Sequence, residues 1–201
     1  MLDTMVINNV FSEFSSLLHT RLAASIYTTE DSIRYTFFIA LLTRTSIKPH
    51  EIVLEYPHPA ISGEVDTYIP SLKGKSVVIE FKYDRNIPSK NAVPRPQNAG
   101  EIFADVYRLY RFTAPADPDR LLIYCSDRIM AQYFRNPANG YSDFFDIGQG
   151  QTILIDDKFI NTKTATFKKK IGGPMAVILE CLWTDSLPQK HHLRIYKIIP
   201  Q

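Results

Sequence analysis

The chain of 201 residues is 45% hydrophobic and 22% charged, proportions of an ordinary globular protein that exclude a disordered chain. This length predicts one domain over residues 1–201. The formal net charge of +2 excludes a protein that binds nucleic acid through a strongly basic tail, although an acidic site with basic flanks gives the same balance.

The cellular location is indicated by what the sequence lacks. Its first residues do not show the basic start and apolar run of a signal peptide, and its longest apolar stretch is too short to cross a bilayer. Cys125 and Cys181 lie in apolar runs and are predicted to be buried, unpaired thiols. We therefore expect a cytoplasmic protein with no membrane partner.

Two helices are predicted before any strand. Apolar side chains recur at helical spacing over residues 9–26. A second helix is predicted from about Thr29 to Thr43, with Thr28 or Thr29 as its cap. The apolar stripe of this second helix consists of Ile33, Phe37 and Leu41.

The chain then changes to the alternating period of strands. Residues 51–56, 64–69 and 76–83 predict three successive strands, with turns at Ile61–Gly63 and Lys73–Gly74. After a proline-containing loop at Asn86–Gln97, the pattern predicts further elements. These are a helix at 99–112, a buried strand at 120–125, a helix at Arg128–Phe134, and strands at 152–157, 176–183 and 192–199. This order predicts an α/β protein with a central mixed β-sheet flanked by helices.

The predicted strand at 76–83 carries an acid and a base on one face. Alternation places Glu80 and Lys82 together, opposite a face that consists of Val77, Ile79 and Phe81. The preceding strand places Asp66 on the face opposite Val65, and Asp66 lies beside Glu80 if the two strands pair as a hairpin. Two carboxylates this close repel each other, and a divalent cation relieves that repulsion at neutral pH.

A third acid, Glu30, precedes Ile33 by three residues and so falls on the buried stripe of the second helix. A buried carboxylate needs a partner, which favours a role beside the two strand acids. The alternative is a first-turn residue that is stabilised only by the helix dipole.

The order of these features resembles the core of the PD-(D/E)XK nuclease superfamily, the restriction-endonuclease-like proteins. The features are a helix with inward Glu30, a hairpin that carries Asp66, and Glu80-Phe81-Lys82 on the next strand, followed by a polar helix. The resemblance covers about residues 28–135 and leaves a C-terminal, strand-rich extension. The chain departs from the pattern at Val65, where the family name has proline.

This resemblance implies a Mg²⁺-dependent endonuclease that hydrolyses phosphodiester bonds of double-stranded DNA, a type II restriction-like enzyme that acts as a homodimer. It implies Asp66, Glu80, Glu30 and Lys82 as catalytic residues. The first three would hold one or two Mg²⁺ ions, with Mn²⁺ as a substitute, and Lys82 would orient water or stabilise charge on the phosphate. Junction resolution or repair cleavage belongs to the same class.

Other polar residues are candidates for supporting roles. Glu101 and Asp105 share a helix face with Arg108, which predicts either pairing on the surface or a face turned toward the metal site, and Gln97 could hold the attacking water. Candidate contacts to DNA phosphates are Arg85, Lys90 and Arg95 in the proline-containing loop and Lys168, Lys169 and Lys170 farther on. His191 and His192 are predicted to lie on the surface.

Each core assignment has a simpler alternative. Glu80 and Lys82 could be charge partners on a solvated sheet face, and Asp66 could cap the turn after Gly63. The rival function is a non-catalytic DNA-binding or assembly module that keeps the fold. It leaves unexplained why Lys82 lies among acids.

Overall fold

A seven-stranded mixed open sheet organises the protein. The computed structural model describes residues 4–85, 94–114 and 117–201, and within these residues the chain forms an α/β protein with seven α-helices. The strand order is β1-β2-β3-β4-β7-β6-β5. The strands are β1 (Val53–Pro57), β2 (Glu64–Leu72), β3 (Lys75–Asp84), β4 (Asp119–Ser126), β5 (Thr152–Ile155), β6 (Val177–Leu187) and β7 (His191–Pro200).

The helices cover both faces of this sheet. They are α1 (Thr4–Ala23), α2 (Glu30–Arg44), α3 (Arg95–Arg111), α4 (Arg128–Arg135), α5 (Ser142–Phe145), α6 (Asp157–Asn161) and α7 (Ala165–Lys168). The sequence predicted α2 closely, but α1 starts five residues earlier than predicted and ends three residues earlier. The short helices α5, α6 and α7 were not predicted, because segments of four or five residues are too short to show a helical period.

The first half of the sheet has the predicted hairpin connections. Strands β1, β2 and β3 are antiparallel neighbours, and α3 then crosses over so that β4 pairs with β3 in parallel. Strand β7 is antiparallel to β4, and β6 and β5 follow it. The strand-rich C-terminal segment therefore continues the same sheet.

Apolar residues on the two sheet faces form two separate hydrophobic clusters. Helices α1 and α2 pack against the face that includes Ile79 and Phe81, whereas α3 packs against the face of Val78. Phe37 joins three elements, because its ring lies 5.4 Å from Phe14 on α1 and 5.6 Å from Phe81 on β3. Truncating such a buried phenylalanine to alanine costs about 3–5 kcal/mol.

Two details of the predicted pattern are wrong. Alternation predicts Val65 and Ile69 on the same face of β2, but Val65 packs in the cluster of Val78 and Ile69 packs in the other cluster. His191 is buried and His192 is half-buried, because they begin β7 and pack against neighbouring elements, although a surface location was predicted. Cys125 and Cys181 are buried and free, as predicted. In the described ranges no helix has both the length and the apolar character needed to span a bilayer.

Candidate active site

The candidate site lies where β2 and β3 stop pairing. Their register runs from Leu72 opposite Lys75 to Thr67 opposite Ile79. Beyond that point two carboxylates take backbone N–H groups of β3. Asp66 Oδ2 accepts from Phe81 N at 2.7 Å, and Glu30 Oε2 accepts from Tyr83 N at 2.8 Å. Backbone N–H groups need a hydrogen-bond partner. Where β2 no longer pairs with β3, the carboxylates of Asp66 and Glu30 accept from the β3 N–H groups instead.

Glu30 is fixed by the start of α2. Thr29 caps this helix, its side chain accepting from Ser32 N while the Ser32 side chain accepts from Thr29 N. The cap sets the first turn against β3, and Glu30 then reaches Tyr83. Burial raises the pKa of Glu30 above its ordinary value, and nearby Asp66 adds to the shift while Lys82 and the Tyr83 amide oppose it. The inward orientation predicted for Glu30 is confirmed.

Glu80 is the most enclosed acid of the group. Only 3% of its surface is exposed, and Arg108 Nε lies 2.8 Å from its Oε1. These two atoms are close enough for an ion pair but lack hydrogen-bond geometry, so Glu80 Oε1 has no hydrogen-bond donor within the described part of the chain. Burial raises the pKa of Glu80 well above its ordinary range, and the charges of Asp105 and Asp66 raise it further, against the effect of Arg108.

Asp66 and Glu80 are neighbours, as the hairpin predicted. Hydrogen bonding between their carboxyl groups contributes to the raised pKa of Glu80, and Arg34 Nη1 approaches Asp66 Oδ1 at 3.9 Å. Two carboxyl groups in contact are stable when they share a proton or a cation. The pair therefore provides a place that favours added positive charge.

Lys82 lies in the middle of this acidic group. Burial lowers its pKa, but the carboxylates outweigh burial, so the pKa of Lys82 is raised overall. The acids that raise it are Asp105, Glu30, Asp84 and Glu101. Lys82 is therefore a cation at neutral pH and cannot serve as a general base.

Helix α3 turns part of its polar face toward the sheet, and the pairing within this face that was predicted as the alternative is also present. Asp105 is buried and pairs with Arg108, which also reaches Glu80. Burial raises the pKa of Asp105 to about 6, against the attraction of Lys82 and Arg108. For Glu101, burial raises the pKa, but hydrogen bonds from Gln97 and Lys170 lower it more, at 3.2 and 3.0 Å.

The three predicted metal ligands, Asp66, Glu80 and Glu30, are not arranged around a common position for a metal ion. Among the residues that the structure describes, no group of three or more His, Cys, Asp or Glu is arranged to hold a metal ion. Carboxylate oxygens are nevertheless the donors that Mg²⁺ prefers, and Glu80 Oε1 is a buried acceptor without a donor. The residue types thus fit a small divalent cation, although Glu30 and Asp66 now bind backbone N–H groups. The assignment of the metal ligands stays a prediction.

The predicted phosphate contacts are scattered. Arg85 stacks over the Tyr27 ring at 4.2 Å, Lys168 Nζ donates to Asn161 O at 3.1 Å, and Lys169 is exposed. Arg95 was predicted in a loop but is the exposed first residue of α3, because the helix starts earlier than the sequence pattern indicated. Lys90 lies outside the described residues.

Sequence reasoning missed Asp84 and Arg34. Asp84 is the next residue after Glu80 and Lys82 on the same face of β3, so the alternation could have found it; it accepts from the Tyr124 hydroxyl at 2.9 Å. Arg34 is four residues after Glu30, which is the helical spacing that shares a face. Its pairing with Asp66 depended on how α2 docks.

In comparisons with known proteins, no protein-family model matches the chain, and neither curated proteins nor solved structures give a match.

Proposed function

We propose that this protein is a metal-dependent nuclease that hydrolyses phosphodiester bonds of double-stranded DNA. The observation that carries the proposal is the buried Glu80 carboxyl, which lies beside Asp66 and two residues before Lys82 on β3. Its Oε1 lies 2.8 Å from Arg108 Nε without hydrogen-bond geometry. A fold gains no stability from a buried acid placed beside a second, half-buried acid, so the pair is better explained by chemistry.

The order of elements supports a restriction-endonuclease-like core. Helix α2 carries Glu30, the β2–β3 hairpin carries the two strand acids and Lys82, and α3 then crosses to the parallel strand β4. This is the order on which the resemblance to the PD-(D/E)XK superfamily rests. A type II restriction-like enzyme that acts as a homodimer is the form that we propose within this class.

A divalent cation, Mg²⁺ or Mn²⁺, held by Asp66, Glu80 and Glu30 would neutralise phosphate charge and lower the pKa of a bound water. Other residues of the chain contribute to the same site. Lys82 presents a fixed ammonium to the phosphate oxygens and stabilises the charge that grows on them. Arg108, which also pairs with Asp105, contacts the Glu80 carboxyl from the side of α3.

One observation favours the rival, a non-catalytic module that binds DNA or serves assembly. Glu30 and Asp66 already accept from backbone N–H groups, and Arg108 lies against Glu80, so part of the acidic charge is compensated within the protein. Such compensation is sufficient for a fold that has lost its metal. It does not account for Lys82.

Nicking of supercoiled plasmid separates these functions. We expect the supercoiled plasmid to be converted to the nicked form with Mg²⁺ or Mn²⁺. We expect no nicking in excess EDTA and little with Ca²⁺. Glu80→Gln, purified in parallel, controls for a contaminating nuclease. Cleavage in excess chelator, or equal cleavage by the Glu80→Gln protein, would contradict the proposal. Binding of the plasmid without nicking in any metal favours the rival.

A further inference from the structure

A basic groove lies between α4 and the turn that joins β6 to β7. Its volume is about 520 Å³. Arg128, Gln132 and Arg135 line one wall at spacings of four and three residues, which places them on one face of α4. Lys190 and His192 line the facing wall.

The groove carries uncompensated positive charge. Among the residues that the structure describes, none that lines the groove is acidic. Arg135 pairs with Asp146 at 2.9 Å, but Arg128 and Lys190 are exposed and have no ion pair among residues 4–85, 94–114 and 117–201. The pKa of His192 is consistent with this positive charge. Burial lowers the pKa to about 4, and the charges of Arg135 and Arg194 contribute to the decrease.

The turn that presents Lys190 is held in an uncommon conformation. Gln189 and Lys190 have φ of 58° and 61°, a pair of left-handed residues for which hairpins favour Asn-Gly. A left-handed backbone conformation is disfavoured for residues other than glycine. The Gln189 side chain donates to Leu22 O at 2.7 Å and Ser25 Oγ at 3.0 Å, which anchors the turn to the end of α1. Lys190 is therefore displayed from a fixed support.

The groove and the candidate active site share one end of the sheet. In the register, Asp84 on β3 stands opposite Ser126 on β4, which stands opposite His192 on β7. Two strand spacings of about 4.8 Å place His192 about 10 Å from Asp84. The Tyr83 hydroxyl and His191 Nε2 lie 2.9 Å apart and tie β3 to β7 at this end.

We propose that this groove binds the phosphate backbone of double-stranded DNA beside the candidate active site, an inference that rests on the proposed function. The guanidinium groups of Arg128 and Arg135 lie on one wall, two helical turns apart, and arginine binds phosphate oxygens well. The concave shape receives a chain, whereas a membrane surface would need a convex basic face with apolar side chains. The duplex would then run from Lys82 across the end of β4 toward α4.

The test compares Arg128→Gln/Lys190→Gln with a control of equal charge change, Lys48→Gln/Lys158→Gln. The control lysines are exposed and lie outside the groove lining. Binding to a fluorescein-labelled 20-base-pair duplex is measured in EDTA, so that cleavage does not interfere, across a series of salt concentrations. Each lost phosphate contact lowers the slope of log K against log salt by about 0.9. For the groove variant we expect this slope to be smaller by about 1.8, and its Kd at 0.1 M salt to rise about tenfold or more.

The control variant is expected to change the slope by less than half as much, and equal melting temperatures show that all variants fold. An unchanged slope and Kd in the groove variant overturn the inference, while plasmid nicking by the parent still supports the proposed function. A reduced slope in the groove variant, with no nicking by the parent, supports the groove and contradicts the nuclease. Weaker binding to phosphatidylserine vesicles with unchanged duplex binding assigns the groove to a membrane and overturns the inference.

Discussion

At the level of single residues, Lys82 brings a positive charge into a group of carboxylates that includes Glu30, Asp84 and Asp105. Its ammonium would stabilise the transition state more than the bound ground state, so its loss reduces rate more than affinity. We expect Lys82→Ala to cleave DNA about a hundredfold more slowly, or about 2.7 kcal/mol in barrier, while it binds a duplex in Ca²⁺ nearly as well as the parent. Single-turnover cleavage and binding on one duplex measure both quantities.

Lys82→Arg is the matched control for charge. Its planar guanidinium does not reproduce a compact ammonium, so we expect poor rescue of the rate. Cleavage by Lys82→Ala within threefold of the parent would make Lys82 a structural charge and remove the site assignment with it.

The strand acids Asp66 and Glu80 permit a test that separates function from folding. Glu80→Gln removes a carboxyl whose ionised form is opposed by burial and by Asp105 and Asp66. We therefore expect Glu80→Gln and Asp66→Asn to lose at least a hundredfold in cleavage while their melting temperatures stay equal to the parent or rise. A lower melting temperature with activity retained per folded molecule would show that the acids are structural. Glu13→Gln, which breaks the pair with Arg44, is the matched control.

Asp84 gives a prediction for the pH dependence of stability. Burial raises its pKa to about 7, against the Tyr124 hydroxyl and Lys82, from an ordinary value of 3.8. An acid whose pKa is higher in the folded protein binds its proton more tightly there, so the free energy of unfolding falls as pH rises from about 4 toward 7. Asp84→Asn removes this titration and can still accept from Tyr124.

As pH rises from about 4 to 8, we expect the free energy of unfolding of Asp84→Asn to increase relative to that of the parent by on the order of 2–4 kcal/mol. Urea unfolding of both proteins at several pH values measures the difference. Parallel curves over that range would show that the pKa of Asp84 is not raised in the folded protein.

At the scale of elements, the sequence predicted what short-range patterns determine. The cap at Thr29 starts α2, and alternation with a Lys73–Gly74 turn determines β2 and β3, so Glu30, Asp66, Glu80 and Lys82 could be placed on the right elements. The contacts of Arg34 with Asp66 and of Arg108 with Glu80 could not be predicted, because they depend on how helices dock on the sheet. The same limit applies to His191 and His192, which are covered by neighbours distant in sequence.

At the scale of the whole molecule, a bound cation should change global stability. A ligand that binds only the folded state stabilises it by about 2.7 kcal/mol at a hundred times its Kd. For a chain of this size that corresponds to roughly 5–10 °C in melting temperature. We expect Ca²⁺ to raise the melting temperature of the parent by this order and EDTA to reverse the rise.

Glu30 and Asp66 each use one carboxylate oxygen to accept from a β3 backbone N–H group, which leaves their second oxygens for a cation. Glu30→Gln keeps an acceptor for Tyr83 N but loses the charge, so its thermal shift with Ca²⁺ should be smaller than that of the parent. Asp31→Asn is the matched control, because Asp31 is the adjacent, exposed acid and pairs with Arg34. Equal shifts for both variants and the parent would place any bound Ca²⁺ away from Glu30. A parent with no shift at saturating Ca²⁺ would leave the acidic group without a cation and favour the non-catalytic rival.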